Sequence, residues 1–586
     1  MSSKAKAPPR SRVAGRRPVQ TVDTDLNSYD RTDPWAAFHV LHRLLSSLPS
    51  RVGGCQYKLT PDEHKLSMHL LTIVEPFVGI SSARRTLDRQ PTEVLDAIAA
   101  HLDAKRDVLA LGLTCQRMRD VVFPRHFDYR VVRCKVSSIR VWNHLHVNRA
   151  LARNVRRLEI LDERAGALEM IPRGIRTSDT DLESTDDELG MHAKQERFLI
   201  SALAQMTSIQ TFVWSCNHCP LSMSDIWPIL LKCPSLKEVR ICDNLLFNAS
   251  QDSENADDKR LSVLPELRTA VFRATAHTYG ATKTPNLVKI GSVLNQCPRL
   301  ESLDISYVSP RGPGYMLPVG DSLMTCGRWP QLRNLTLTNI RCSSAHGFEA
   351  ASTFLFAHTG LEVLHLDISF SNVPGGKPRL ILLPNSLPHL RELRTSKELI
   401  ESVLVCPSDE PRPLEIIKGV KLSGAADAML LRVLKKFGGG LKRLEMSGWT
   451  DMEDVKMLAD CVPNLTWLDI GKKMAPPAAG RSIRANLSAN ANAAEWAAIL
   501  CNLPELTTFH GAKFFYEVSA EQHPLGVSDR SRVRKNDEIA SVLAWKCPKL
   551  RRVDHWDENS GKVIVLSKDG DKVRWEGRRM RVAGSV

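Results

Sequence analysis

The sequence lacks any apolar run long enough to span a bilayer. Its longest, Leu70 to Ile80, is interrupted by Glu75 and Pro76 and falls well short of the roughly 20 residues a membrane helix needs, so no membrane partner is expected. The first twenty residues lack an apolar centre and so do not read as a secretory signal, which places the chain in the cytosol, the nucleus or both. Those twenty residues also lack acids while carrying six Lys or Arg, and residues 530–586 carry fifteen bases against eight acids. Of the net charge of +15, the two ends hold +6 and +7, leaving +2 for the 509 residues between them. A phosphate-tracking surface spreads its charge along a face or groove, so nucleic acid is an unlikely partner. Catalytic signatures are missing too: there is no Gly-x-Ser-x-Gly, no phosphate loop ending Gly-Lys-Ser/Thr, no His-Glu-x-x-His and no dinucleotide fingerprint. Gly438 to Gly440 fit a helix end better than a phosphate cradle, and neither an active site nor a cofactor is expected. Cys216 and Cys219 have a zinc-like spacing but no second pair at a suitable distance, so no metal is expected either.

What is present is ordinary soluble-protein composition, with 43% hydrophobic and 25% charged residues in 586, which excludes a wholly disordered or fibrous chain. Fourteen cysteines in so long an intracellular chain do not suggest a disulfide framework. Cys233, Cys297, Cys406 and Cys547 each directly precede a proline, Cys461 lies two before Pro463 and Cys501 three before Pro504. This recurrent context marks a structural position where a small apolar thiol fits a crowded interior.

The prolines open a repeat. Leu236, Val239 and Ile241 follow Pro234, and the same spacing recurs as Leu267, Ala270 and Phe272, as Leu300, Leu303 and Ile305, and as Leu332, Leu335 and Leu337. Leu361, Leu390, Leu441, Leu465, Leu506 and Leu550 begin further copies, and Val155, Ile209 and Leu414 weaker ones. From Ile209 to Leu465 the leading residues advance in steps of 24 to 33, a register that leucine abundance alone would not hold. Apolar residues at i+3 and i+5 lie on one face of a short strand, and helical patterns such as Ala428 to Leu434 fill the intervals. One strand-and-helix unit cannot cover its own apolar side, so the copies must stack.

These residues resemble the leucine-rich-repeat family, in particular its cysteine-containing type, over residues 150–556. The resemblance implies an α/β solenoid with a curved parallel sheet inside and helices outside. An acidic run at 177–190, cation-free from Asp179 to Glu188, reads as a loop inserted between repeats. Val563 to Leu566 and Val573 to Trp575 flank Asp569-Gly570, a hairpin signal, so residues 557–586 are expected to cap the end of the array before a basic tail.

Ahead of the repeats, residues 90–124 read as three short helices: one with Pro91 at its start, Thr92 as cap and the stripe Val94, Leu95, Ile98 and Leu102; one capped by Asp107; and one from Cys115 through Met118 to Val122, stopped by Pro124. About 35 residues are too few to hide that apolar surface in a core of their own, so part of it should meet a partner. Pro91, Glu93, Val94, Leu95, Ile98, Leu102, Asp107, Leu109, Leu113, Cys115 and Arg119 resemble the F-box pattern, with Gln90 in place of the leading leucine. The domain reading is therefore a disordered basic tail at 1–33, a helical segment at 34–86 in which Trp35, Phe38, Leu41, Leu44, Leu45 and Leu48 suggest an amphipathic helix, a short all-α F-box at 87–133, and the solenoid. The F-box leucine-rich-repeat resemblance implies a non-catalytic receptor subunit. Its F-box docks a Skp-type adaptor, and through it a cullin, and its repeats bind a protein substrate for ubiquitination. Implied adaptor-binding residues are Pro91, Glu93, Val94, Leu95, Ile98, Leu102, Leu109, Leu113, Cys115 and Met118. The alternative is a repeat scaffold or regulator that recruits no ligase, its front helices being a cap.

Overall fold

In the computed structural model, the residues described are 23–48, 58–78, 87–175, 188–216, 223–248, 264–295, 297–343, 346–370, 380–424, 427–474, 492–518, 526–554, 562–570 and 572–579. The first twenty-two residues, the acidic run up to Asp187, and Cys219 lie outside them. The chain forms two compact units, Met1–His101 with Leu111–Val121, and Leu102–Ala110 with Val122–Val586.

The first unit contains α1 (Pro34–Ser47) and α2 (Pro61–Val74). Asp33 caps α1 by accepting from the Ala36 N–H, with Pro34 at the first helical position. Thr60 and Glu63 form a reciprocal capping box on α2. Ala37 and Leu41 pack with Leu66, Leu70, Ile73 and Val74 into a small core flanked by Tyr29 and Val40. The amphipathic helix is present, but its buried face is Ala37, Leu41 and Leu44, while Trp35, Phe38 and Leu45 are exposed. The first unit also holds α3 (Thr92–His101) and nearly all of α5 (Gln116–Val122), while α4 (Lys105–Gly112) belongs to the second unit as far as Ala110.

The second unit is built on one sheet of seventeen described strands. They are β1 (Val131–Lys135), β2 (Arg157–Leu161), β3 (Thr211–Ser215), β4 (Glu238–Cys242), β5 (Thr269–Arg273), β6 (Ser302–Ser306), β7 (Asn334–Cys342), β8 (Val363–Phe370), β9 (Glu392–Arg394), β10 (Ile416–Leu422), β11 (Arg443–Trp449), β12 (Trp467–Asp469), β13 (Lys472–Lys473), β14 (Thr508–His510), β15 (Arg552–Asp554), β16 (Lys562–Asp569) and β17 (Lys572–Arg579). Pairing is parallel from β1 to β15 and antiparallel from β15 through β17.

Each repeat repays its sequence frame. Leu300, Leu303 and Ile305 are buried, as are Ile290 and Leu294 on the preceding helix Val288–Leu294, and all belong to one continuous core. The proline frame has a specific cause: the carbonyl of the residue before it accepts from the N–H of the leading leucine, as Cys233 does from Leu236 and Cys297 from Leu300. Proline thus sits at the second position of a four-residue turn, which its fixed φ favours. One carbonyl per repeat then receives two N–H groups from the next: Arg268 accepts from Glu301 and Ser302, Glu301 from Arg333 and Asn334, and Arg333 from Glu362 and Val363. This spine runs from Arg130 to Thr507 and satisfies backbone groups that stacking would otherwise bury unpaired.

The structure corrects several details. The array starts at Val131, not residue 150, because Val132 and Cys134 alternate into the core and β1 pairs with β2 without a leading proline or leucine. The turn position held by Cys233 and Cys297 is taken near the end by Val462 and Leu503, which accept from Leu465 and Leu506; Cys461 is only half-buried and Cys501 is exposed. Thr92 and Asp107 lie inside the first turns of α3 and α4, whose N-terminal carbonyls are those of Pro91 and Ala104. Pro124 does not end the helical path, since a π-type turn, Phe123–Phe127, follows directly on α5. At the far end, Gly570 takes φ +62°, as a two-residue hairpin requires. The hairpin buries Ile564 and Leu566 in the core of the last repeats, and the Trp575 indole donates to Asp537 at 2.8 Å.

Candidate partner-binding surfaces

The front helices contain a core of their own. Leu95 and Met118 are buried with Val121, and Leu111 and Cys115 pack against them. The Cys115 sulfur accepts from the Met118 N–H at 3.5 Å, capping α5. Arg117 fastens the chain ahead of α3 by donating to the Asp88 and Gln90 carbonyls, each at 2.7 Å. Gln90 therefore contributes a backbone acceptor, a role independent of its side chain.

The ten residues implied by the F-box resemblance fall into two groups. Leu95 and Met118 face inward, because a core this small needs its largest apolar side chains to hold the helices together. Val94 is 42% exposed and Leu113 is 70% exposed, while Ile98, Leu102, Leu109 and Cys115 are half-buried and Pro91 and Glu93 exposed. Val94 and Ile98, four residues apart, share one face of α3. Nothing in the spacing marked Arg117, whose partners are carbonyls 27 and 29 residues away.

A second contact set involves Asp103, in the turn between α3 and α4. Its carboxylate accepts from the Gln210 amide at 2.6 Å and lies 3.4 Å from the Lys237 ammonium and 3.9 Å from the Arg156 guanidinium. Burial alone would raise this carboxyl, but the Gln210 hydrogen bond and the two cations hold it below the ordinary value. Gln210 and Arg156 are the spine residues before β3 and β2.

The sheet has one face in the core, so the intervening strand residues form an open face. At its first end, Arg133 and Arg157 both donate to Glu159, and Arg273 meets Asp304 at 2.6 Å. At its other end, ion pairs run strand to strand. Glu392 accepts from His365 at 2.7 Å and from Lys418 at 2.6 Å; Lys418 lies 3.8 Å from Glu445; Arg443 meets Glu445 at 2.7 Å. The Arg443 guanidinium stacks 3.9 Å from the centre of the Trp467 ring, whose other neighbour is the His510 imidazole at 5.5 Å. Burial would raise the Glu392 carboxyl, yet hydrogen bonds from Lys418 and His365 hold it low and ionised. The cysteines offer no comparable chemistry, since burial pushes the Cys297 and Cys547 thiols up to about 12.

Strand, turn and helix repeated along one long parallel sheet make this a mixed α/β repeat protein of solenoid construction. No family model and no curated protein matches the chain. Among solved structures it is similar to the crystal structure of a complex of Rad7 and Elc1 in yeast, at 13% identity and a TM-score of 0.32, over 79% of this chain and 98% of that one.

Proposed function

We propose that the chain is the substrate-recognition subunit of a ubiquitin ligase of the Skp–cullin–F-box type, working in the cytosol or nucleus. The observation that carries this reading is the exposure of Val94 and Leu113 on a helical trio whose core consists of little more than Leu95, Met118 and Val121. Apolar side chains left outside so small a core are the expected anchors of a protein interface. In this reading α3 to α5 dock a Skp-type adaptor, and through it a cullin, while the open sheet face holds a protein substrate. The chain performs no chemistry of its own. Holding a substrate lysine beside a charged conjugating enzyme turns their encounter into an intramolecular one, which raises effective concentration.

The alternative reading is a repeat scaffold or regulator that recruits no ligase, its front helices being a cap. Capping and docking are compatible, and one experiment separates them. Full-length chain is co-expressed with a Skp-type adaptor, as wild type and as the double variant Val94→Asp, Leu113→Asp. Because neither side chain belongs to the core of the trio, circular dichroism should be unchanged. Recovery of the adaptor with wild type and its loss with the variant support the receptor reading, and equal recovery counts against the surface named here.

A further inference from the structure

The open face of β9 to β14 is more than a continuation of the sheet. In register across it, Glu392, Ile416, Arg443, Trp467 and Thr508 form one row, and Arg394, Lys418, Glu445, Asp469 and His510 the next. Beyond them Lys421 and Lys472 stand in register on either side of Gly448. On these strands five cations face three carboxylates. Two of the three, Glu392 and Glu445, are each already held by Lys418 and a second basic side chain. Arg394 and Lys421 are exposed.

Trp467 stands out in its row, where the preceding strands place Arg157, Thr211, Glu238, Thr269, Ser302, Asn334 and Val363. A half-buried indole clamped between Arg443 and His510 has no core to serve on this face. It is held rigid, so a partner that covers it loses little further side-chain entropy. Tryptophan and arginine packed together, ringed by charge, have the composition of an interface hot spot.

We infer that this end of the sheet binds an acidic segment of a protein partner, with Trp467 as the platform under its backbone and Arg394 and Lys421 meeting its carboxylates. The inference deepens the receptor reading by naming the class of substrate segment. Charge complementarity selects the occupant: the exposed cations Arg394 and Lys421 share the open face with the indole, and the carboxylates there are already engaged.

The test is a titration of the full-length chain with a fluorescein-labelled deca-glutamate peptide at 150 mM salt, with deca-lysine and a ten-nucleotide single-stranded RNA as comparisons. Deca-glutamate should bind and deca-lysine should not. Arg394→Glu with Lys421→Glu should weaken binding at least tenfold and Trp467→Ala about fivefold. Arg240→Glu with Arg273→Glu, at the other end of the face, should change it less than twofold. Equal losses from the two reversals, tighter binding of RNA than of peptide, or no binding of deca-glutamate would each overturn the proposal. Thermal unfolding of each variant excludes misfolding. Co-purification with the Skp-type adaptor reports separately on the receptor reading, because none of these positions lies in α3 to α5.

Discussion

Asp427 joins two neighbouring repeats, and removing it should loosen the array at one place. Its carboxylate is almost fully buried and accepts from the Lys397 ammonium at 2.7 Å, from the Ser423 hydroxyl at 3.1 Å and from the Ser423 N–H. Lys397 opens the helix Lys397–Val405, and Asp427 immediately precedes the helix Ala428–Phe437. Truncating one partner of a fully buried ion pair costs about 3–5 kcal/mol, and a buried donor left without an acceptor about 1–3 kcal/mol. The Lys397 side chain is 24% exposed, so its ammonium can turn to water, which sets Asp427→Ala at about 3 kcal/mol. Lys397→Ala should cost less, about 1–2 kcal/mol, because Asp427 keeps its bonds to Ser423. The double variant should then fall short of the sum by about 1–2 kcal/mol.

A long repeat array need not unfold in one step, so native-state hydrogen exchange is the suitable assay. Amides of the two helices should exchange roughly a hundredfold faster in Asp427→Ala, since each 1.4 kcal/mol is about tenfold, while those of the distant helix Ile139–Val147 stay unchanged. The sign with pH follows from the carboxyl. Burial would raise it, but hydrogen bonds from Lys397 and Ser423 and the Lys397 charge hold it below the ordinary value. The contribution is therefore present above the unfolded carboxylate value and is lost as pH falls through the lower folded one. An exchange difference below about threefold, additive single variants, or a gap between wild type and variant that widens in acid would refute the reasoning.

Asp243 should behave in the opposite sense: burial pushes its carboxyl up to about 6, against the Leu245 N–H that it accepts. Asp243→Asn should therefore stabilise the fold by up to about 2–3 kcal/mol at pH 7.5, with the gain vanishing towards pH 4, as thermal unfolding across that range would register. Gly471 holds φ +60° with the Met446 carbonyl where a Cβ would lie, so Gly471→Ala should lower the urea midpoint by the equivalent of more than about 2 kcal/mol; no change in midpoint would contradict the close approach of β12 to β11. Cys326 and Cys501 are exposed, whereas Cys297, Cys342 and Cys547 are buried with thiols pushed up to about 12. Iodoacetamide at pH 8 should modify the first two in the native protein and the last three only after denaturation, read by peptide mass spectrometry.

How much of this was legible depended on what lay close in sequence. The leading leucine and its partners three and five residues on are local, and they gave the strands of the central repeats because each buried side chain belongs to a short period. β1 escaped, since Val132 and Cys134 alternate but lack the turn that announces the other strands. The cysteine position was read correctly at Cys233 and Cys297, and wrongly at Cys461 and Cys501, because the turn uses only the backbone carbonyl of that residue and Val462 and Leu503 serve as well. In the front helices, the apolar stripe was visible but not which of its members faced inward. Leu95 and Met118 meet only once α3 and α5 have folded together. Arg117, Asp103 and the Lys397–Asp427 pair act on partners from 27 to 134 residues away, so no spacing rule could have found them. Trp467 was hidden differently: the frame fixes Leu465 and Leu468 and treats everything between as filler, yet that filler forms the open face.

The central claim, that the front helices recruit a Skp-type adaptor, is tested most directly by calorimetric titration of the purified full-length chain with purified adaptor at several temperatures. The account expects a one-to-one complex with a negative heat-capacity change, the mark of apolar surface going out of water, weakened by about 3 kcal/mol, or roughly a hundredfold, when Val94 and Leu113 are both replaced by aspartate. A chain that gives no heat and does not co-elute with the adaptor, or a complex indifferent to both substitutions, would contradict it.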